Sequence, residues 1–153
     1  MSDTVSPEVR SRIMAAVKSK NTQPELAIRK GLHAFGFRYR LHRRDLPGRP
    51  DLVFPKYRAI IMVNGCFWHG HKCHLFKLPL TRTDFWQEKI EGNQRRDARN
   101  LESLSKMGWR VMLIWECALK SRSKLSREEV LSETRQWLLS GTKNKQIYGR
   151  FTA

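Results

Sequence analysis

Acidic side chains are scarce in this sequence, which has 14 Asp and Glu against 30 Lys and Arg. The formal net charge is therefore +16 over 153 residues, about the length of one ordinary domain. A charge of this size on a small domain indicates a polyanionic partner. Nucleic acid is the first candidate, and an anionic membrane surface is the second.

Long hydrophobic runs are missing as well. The longest apolar stretches, such as Ala59 to Val63 and Val111 to Trp115, are far shorter than the roughly 20 residues that cross a bilayer. The polar N-terminus also lacks the apolar segment of a secretory signal. We therefore expect a soluble, cytoplasmic protein, with a nucleic acid rather than a membrane as its partner.

Cysteine is rare, and the odd number of cysteines argues against a disulfide framework. Two of the three, Cys66 and Cys73, lie among histidines in the stretch NGCFWHGHKCH at residues 64–74. Thiols and imidazoles at this density, close to glycines, are typical of a metal site in a reducing compartment. Ordinary reduced cysteines in a core are the alternative.

A structural zinc ion takes four Cys or His ligands, whereas a catalytic one keeps a position open for water. One loop can supply three ligands, and a fourth can follow the strand predicted at 109–115 if that strand lies beside the strand predicted at 58–63. The site expected from this count is a closed Cys3His zinc site that joins a loop to a strand end. Its ligands are Cys66, His71, Cys73 and Cys117.

Two histidines of the same stretch are left over when the zinc site is closed. His69 follows two aromatic residues on a loop that the metal would hold rigid, so it is a candidate general acid or base near neutral pH. An ordinary surface histidine is the alternative for both residues, and it suits His74 better than His69.

Capping signals and hydrophobic periodicity predict an α/β fold. Ser6-Pro7-Glu8 predicts a short helix that carries Met14, and the capping box Thr22–Glu25 predicts a helix that ends at Gly36. A mixed central sheet flanked by helices is expected from the whole pattern. The other predicted elements are a strand at 37–42, an antiparallel hairpin at 51–54 and 58–63, a helix at 83–107 capped by Thr83-Asp84, a strand at 109–115, and a helix from the capping box Ser126–Glu129 to Leu139.

The chain divides into three parts on this reading. Residues 1–20 form an N-terminal arm, residues 21–140 form the main domain, and residues 141–153 form a basic tail. We expect the residues after Gly141 to bury little and to be loosely held.

Two carboxylates have unusual positions. Asp97 lies close to the inward stripe of the predicted long helix, so it must find a partner, and an arginine is the ordinary choice. Asp51 enters a short strand in Arg49-Pro50-Asp51, where a hard oxygen ligand suits Mg²⁺ in phosphodiester hydrolysis. A turn-forming Pro-Asp is the alternative for Asp51.

Several motifs occur together in one order along residues 9–139. They are LPGRPD at 46–51, GCFWHGHKC at 65–73, TRTDFW at 81–86, KI at 89–90, Asn93, RD at 96–97, GWRV at 108–111 and WECAL at 115–119. In this combination the sequence resembles the very short patch repair (Vsr) endonucleases. The resemblance implies a restriction-endonuclease-like fold of the PD-(D/E)xK superfamily. It also implies nicking of duplex DNA on the 5′ side of the thymine in a T:G mispair, the lesion left when 5-methylcytosine deaminates.

The resemblance further implies roles for single residues. It places the catalytic Mg²⁺ on Asp51, the catalytic histidine at His69, and supporting acids at Asp97 and Glu25. The family's structural zinc ligands fall on the four residues already counted: Cys66, His71, Cys73 and Cys117. Its DNA contacts fall on aromatic wedges, on an apolar residue of the N-terminal arm, and on a lysine: Phe67, Trp68, Trp86, Met14 and Lys89.

One position departs from the family pattern. Characterised relatives carry a histidine near the active site where this chain has Asn64. An amide can hold a water molecule that is bound to the metal, but it cannot relay a proton near neutral pH. The resemblance therefore leaves His69 as the principal base.

Two other functions remain open at this point. The chain could be a non-catalytic, zinc-stapled module that binds mismatched DNA, or a general restriction-type nuclease that cuts both strands. Asp51 and His69 favour an enzyme. We expect a monomer that acts on double-stranded DNA, and the sequence leaves open whether mismatch-repair proteins recruit it.

Overall fold

A computed structural model describes residues 23–120 and 122–150 of the chain. The predicted N-terminal arm at 1–20, including Met14, lies outside the described residues. No helix within the described part of the chain is long and apolar enough to cross a membrane.

A mixed five-stranded sheet forms the middle layer of the fold, as the sequence pattern predicts. Across the sheet, β1 pairs with β2 and β2 with β3 in antiparallel fashion, while β3 pairs with β4 and β4 with β5 in parallel. The strands are β1 (Arg40–Leu41), β2 (Leu52–Phe54), β3 (Ala59–Asn64), β4 (Arg110–Trp115) and β5 (Lys145–Ile147).

The predicted hairpin is the central pair of this sheet. A short 3-10 turn, Pro55–Tyr57, joins β2 to β3, and Leu52 pairs with Ile61. Every residue of β2 is buried, because both of its faces are covered. Leu52 packs with the core on one face of the sheet, whereas Val53 packs with the core on the other.

Four helices in the described part of the chain cover the two faces of the sheet. Ile28 and Leu32 from the first helix, together with Leu138 from the last, pack in one core, and Leu104 from the longest helix packs in the other. The fold is therefore a three-layer α/β arrangement. The helices are α1 (Gln23–Ala34), α2 (Thr83–Lys106), α3 (Glu116–Leu119) and α4 (Arg127–Ser140).

Two of the predicted helix ends are confirmed and one is wrong, while Thr22 of the first capping box lies outside the described residues. The Ser126 hydroxyl accepts a hydrogen bond from the Glu129 N–H at 3.0 Å, as a capping box requires. Gly108 follows α2 with φ of 90°, a conformation that favours glycine. The expectation that Thr83-Asp84 caps α2 is wrong: Arg82 is the N-cap residue, and the Thr83 hydroxyl donates backwards to the Pro79 carbonyl at 2.8 Å.

Three further expectations about local structure differ from the observed fold. The strand predicted at 37–42 is reduced to Arg40–Leu41, a two-residue strand at the edge of the sheet in which both residues are exposed. The helix predicted to end at Gly36 already ends at Ala34, and Phe35, which follows it, is 49% exposed. Residues after Gly141 are not loose as a whole, because β5 completes the sheet and Ile147 is buried.

Candidate active site and metal centre

A cleft of about 560 Å³ lies at the edge of the sheet where β2 begins and where β3 and β4 end. Antiparallel pairing of β2 with β3 and parallel pairing of β3 with β4 bring these three strand ends to the same edge. Four of the residues predicted from the sequence line this cleft: Asp51, Asn64, His69 and Asp97.

Asp51 lies at the bottom of the cleft, directly before β2. Its Oδ2 atom accepts a hydrogen bond from the Val63 N–H at 2.7 Å, so the neighbouring strand fixes the carboxylate. Burial raises the pKa of Asp51 to about 7, and the nearby Glu25 adds to the rise, while the Val63 N–H and His69 oppose it. A carboxylate held in this way is suited to binding a cation, which would restore its ionised form.

Glu25 and His42 lie beside Asp51. Glu25 is only 2% exposed, and its Oε2 atom lies 3.1 Å from Arg29 Nη1 and 2.9 Å from His42 Nε2. The same His42 nitrogen is 3.9 Å from Asp51 Oδ1. One ligand atom from each of Glu25, His42 and Asp51 lies within 4.8 Å of the others, so the three could hold a metal ion.

His42 lines the same cleft, although no sequence motif points to it. The pairing of Leu41 with Leu52 continues to His42, whose N–H donates to the Asp51 carbonyl at 3.1 Å. The predicted strands 37–42 and 51–54 contained this signal, because pairing them in register places residue 42 opposite Asp51. The sequence pattern does not show, however, which strand pairs with the strand predicted at 37–42.

His69 and Asp97 form a close pair on the opposite wall of the cleft. The His69 Nδ1 atom and the Asp97 Oδ2 atom are 2.5 Å apart. Asp97 therefore finds its partner in an imidazole, where an arginine was the ordinary expectation. Asp97 lies on α2, and the loop that carries His69 is hydrogen-bonded to the same helix. The Asn93 side chain of α2 donates to the Trp68 carbonyl at 2.9 Å.

The predicted Cys3His cluster forms next to this wall. All three cysteines are free thiols, and the ligand atoms of the four residues lie within 4.8 Å of one another. The parallel pair Asn64–Trp115 brings the cluster together, because Cys66 and Cys117 each follow two residues later. Four N and S donors at this spacing suit one tetrahedral metal ion. The four residues are Cys66, His71, Cys73 and Cys117.

Trp115 lies between the Cys3His cluster and the cleft. Its ring stacks on the His71 ring, with centroids 4.2 Å apart and planes inclined by 9°. The His69 ring meets Trp115 edge-on at 6.2 Å between centroids. The Trp115 Nε1–H donates to the Gln146 side chain at 2.8 Å, which holds the indole in place from β5. Burial lowers the pKa of His71, which favours the neutral imidazole that a metal requires.

The three predicted aromatic wedges form a cluster beside His69. Phe67 lies 5.3 Å from Trp68 and 5.8 Å from Trp86 between ring centroids. Phe67 and Trp68 are partly exposed, but Trp86 is buried at 7% exposure, so it packs beneath the other two in this structure. Lys89 is exposed on the same helix as Trp86, and His74 is exposed as expected.

Comparison with known proteins gives consistent relatives. The family model for DNA mismatch endonuclease Vsr matches residues 2–75. The chain is 51% identical over 125 residues to the type II nicking enzyme V.XorIIP of Xanthomonas oryzae pv. oryzae, covering 82% of this chain and 92% of the relative. It is 42% identical over 147 residues to DNA mismatch endonuclease Vsr of Escherichia coli, covering 96% of this chain and 94% of the relative. It is also 42% identical over 123 residues to the type II nicking enzyme V.NmeAIP of Neisseria meningitidis, covering 80% and 88% respectively.

Proposed function

This chain belongs to the Vsr family of DNA mismatch endonucleases, and from that premise we propose that it nicks duplex DNA on the 5′ side of the thymine in a T:G mispair. Deamination of 5-methylcytosine opposite guanine produces this mispair. The observation that carries the proposal is the convergence of Asp51 and the His69–Asp97 pair on one cleft. We also assign the hairpin that begins at Asp51 to the PD-(D/E)xK nuclease fold.

The metal proposed for hydrolysis is Mg²⁺, held by Asp51 with Glu25 close behind it. A divalent cation bound there would offset the negative charge that develops on the phosphate and would help to ionise the attacking water. Asp51 contributes a carboxylate fixed by the Val63 N–H, and Glu25 supplies a second, buried carboxylate. Hard oxygen donors of this kind are the ligands that Mg²⁺ prefers.

His69 is proposed as the general acid or base. The bond from its Nδ1 atom to Asp97 fixes the plane of the ring and leaves the Nε2 atom to exchange a proton with the reacting groups. Asp97 thus acts through His69 as a positioning residue. Asn64 lines the same cleft and can hydrogen-bond a water molecule there without relaying its proton.

The Cys3His cluster is proposed to hold a structural zinc ion. Its four donors leave no position for a catalytic water. The metal would fix the loop of residues 66–73, which carries His69 and the wedge residues Phe67 and Trp68. The role of zinc is therefore to hold the catalytic imidazole and the aromatic side chains in fixed positions.

Recognition of the mispair is proposed to depend on stacking. Phe67 and Trp68 would insert beside the mispair, where unstacking costs least, while Trp86 supports them from below. The net charge of +16, with Lys89 exposed on α2, supplies contacts to phosphates that do not depend on sequence.

The N-terminal arm is assigned to DNA binding as well. We propose that residues 1–20, with Met14, form an arm that enters the duplex from the other groove. A monomer acting in the cytoplasm completes the proposal, and mismatch-repair proteins are its candidate partners.

The decisive experiment uses labelled duplexes that contain T:G in every flanking context, with T:A and C:G duplexes as matched substrates. We expect Mg²⁺-dependent cutting of the thymine strand alone, on the 5′ side of the mispaired base. Asp51→Ala and His69→Ala should abolish cutting but retain binding, because phosphate contacts supply most of the affinity. Glu102→Gln, an exposed acid on α2, is the matched control and should cut normally.

Other outcomes would support other functions. Binding to T:G duplexes without cutting under any divalent cation would indicate a mismatch-binding module. Cutting of both strands in matched duplexes would indicate a general restriction-type nuclease. Near-normal cutting by Asp51→Ala would place the active site elsewhere.

A further inference from the structure

Three segments of the chain bring ligand atoms together at the bottom of the cleft. Glu25 lies on α1, His42 follows β1, and Asp51 precedes β2. The His42 Nε2 atom is 2.9 Å from Glu25 Oε2 and 3.9 Å from Asp51 Oδ1. At metal–ligand distances of about 2.1 Å, two ligands of one octahedral ion are about 3 Å apart when adjacent and about 4 Å apart when opposite. The spacing of these donors therefore suits one shared ion.

The backbone holds the His42 imidazole in this position. The β1–β2 ladder ends with the His42 N–H donating to the Asp51 carbonyl at 3.1 Å. His42 has φ of 47°, in the left-handed region that residues other than glycine adopt uncommonly. The ladder thus fixes an unusual conformation whose effect is to direct the ring at Glu25 and Asp51.

The charges at this point favour a bound cation. Glu25 is 2% exposed and Asp51 is 17% exposed, so neither carboxylate is well hydrated. Two ionised carboxylates so close together repel each other. Arg29 Nη1 lies 3.1 Å from Glu25 and offsets one negative charge. A divalent cation among the three side chains would offset the second.

We infer, building on the proposed function, that His42 is a direct ligand of the catalytic metal together with Glu25 and Asp51. The donor set is then one imidazole nitrogen and two carboxylates. Mg²⁺ takes oxygen ligands, whereas imidazole suits first-row transition ions. The site therefore binds divalent cations of the first transition row, including Mn²⁺, more tightly than it binds Mg²⁺.

The test uses Mn²⁺ as the probe on the full, zinc-loaded chain. Zinc binds the thiolate cluster far more tightly than Mn²⁺ does, so Mn²⁺ reports on the cleft alone. Electron spin-echo envelope modulation of bound Mn²⁺ detects a coordinated imidazole nitrogen without any turnover. We expect nitrogen modulation in the wild type, with the pattern changing when the histidines are labelled with nitrogen-15.

Three variants identify the nitrogen. The modulation should disappear in His42→Gln and persist in His69→Gln, which removes the other imidazole of the cleft. It should also persist in His33→Gln, a matched exposed histidine on α1. His42→Gln should lose at least about tenfold in Mn²⁺ affinity relative to Mg²⁺ affinity.

Bound Mn²⁺ without nitrogen modulation in the wild type would overturn the inference, and so would modulation that persists in His42→Gln or is lost only in His69→Gln. The wild-type spectrum requires no variant, so a folding defect in His42→Gln leaves the test intact. Nicking of a T:G duplex with Mg²⁺ is measured on the same preparation. Nicking without nitrogen modulation rejects His42 as a ligand and leaves the proposed function standing, whereas absence of both Mn²⁺ binding and nicking rejects both.

Discussion

The rings of His71 and Trp115 stack face to face, with centroids 4.2 Å apart and planes inclined by 9°. The other side of this contact reaches the cleft, because the His69 ring meets Trp115 edge-on. The Trp115 indole therefore lies between His71 of the Cys3His cluster and His69, the proposed catalytic histidine. Packing of this kind transmits a displacement at one site to the other, since protein interiors leave little free volume.

Trp115→Phe should reduce nicking by between about 3- and 100-fold through kcat, with little change in DNA affinity, because the smaller ring orients His69 less precisely. Single-turnover kinetics together with a binding titration would separate the two effects. Trp109→Phe is the matched control. Trp109 lies directly before β4 and is as buried as Trp115, but it packs in a different core. Equal kcat losses in both variants would mean that only general stability is affected.

Cys117→Ser should remove zinc and cause a large fall in melting temperature. A structural zinc site contributes its binding free energy directly to folding, and Cys117 is fully buried at the cluster. Elemental analysis should find one zinc per chain in the wild type, and calorimetry should follow the variant. His74→Ala, a neighbouring exposed histidine outside the cluster, should keep both the zinc and the stability. A wild-type protein without zinc would refute the assignment.

Asp97→Asn should reduce nicking on the order of 100-fold, because the amide no longer fixes and stabilises the His69 imidazole during proton transfer. The same single-turnover assay, repeated across pH, should show a changed pH profile, which a purely structural defect would not produce. Glu102→Gln on the same helix is the matched change of acid to amide. A normal rate in Asp97→Asn would mean that the close contact has no catalytic role.

Asp51→Asn should stabilise the protein at alkaline pH when no Mg²⁺ is added. Burial raises the pKa of Asp51 to about 7, so the folded chain holds this proton more tightly than the unfolded chain does. The wild type should therefore lose stability as pH rises from about 4 to about 7 and then level off. The variant lacks this dependence. A rise of about three pKa units corresponds to about 4 kcal/mol, so the variant should be more stable than the wild type at pH 8 by up to about 4 kcal/mol.

Urea unfolding at a series of pH values measures this difference in the free energy of unfolding. Saturating Mg²⁺ should reduce the difference in stability between the variant and the wild type, because the ion stabilises the ionised carboxylate of the wild type. Parallel curves for the two proteins across the whole range would show that Asp51 titrates normally.

Trp68→Ala should lose about 10- to 100-fold in nicking of a T:G duplex at fixed salt, since stacking on an aromatic is worth roughly 1–3 kcal/mol per base. Weak binding to matched duplex should change little, because that binding depends on phosphate contacts. Phe35→Ala, which removes an exposed aromatic residue just after α1, is the control. Equal losses on T:G and matched substrates, with the fold intact, would mean that Trp68 only holds the loop together.

Structural elements with local sequence signals could be predicted from the sequence. The hairpin of β2 and β3, the long helix α2 and the Ser126 cap were all predictable, because turns, periodicity and caps are written within a few residues. Strand β5 was missed, since a three-residue strand has too few positions to show alternation. Its place in the sheet comes from pairing with β4, more than 30 residues earlier in the chain.

The candidate site divides in the same way. Cys66, His71 and Cys73 were identifiable as candidate ligands because they lie on one short loop, and Asp51 and His69 were identifiable as candidate catalytic residues because of their motifs. The partner of Asp97, the burial of Trp86 and the approach of His42 to Glu25 could not be read from the chain. Each depends on how a helix packs on a loop or a strand, and such contacts have no local sequence pattern.

The sequence by itself determined which chemical groups this protein possesses: a set of N and S donors, an unusual carboxylate at a strand entry, and a strong positive charge. Only the tertiary structure decided which of these groups act together. Strand register places His42 opposite Asp51, and the parallel pairing of β3 with β4 brings Cys117 to the loop that carries Cys66. Register and packing are settled by the burial of both faces of the sheet, which is a property of the whole fold and of no single segment.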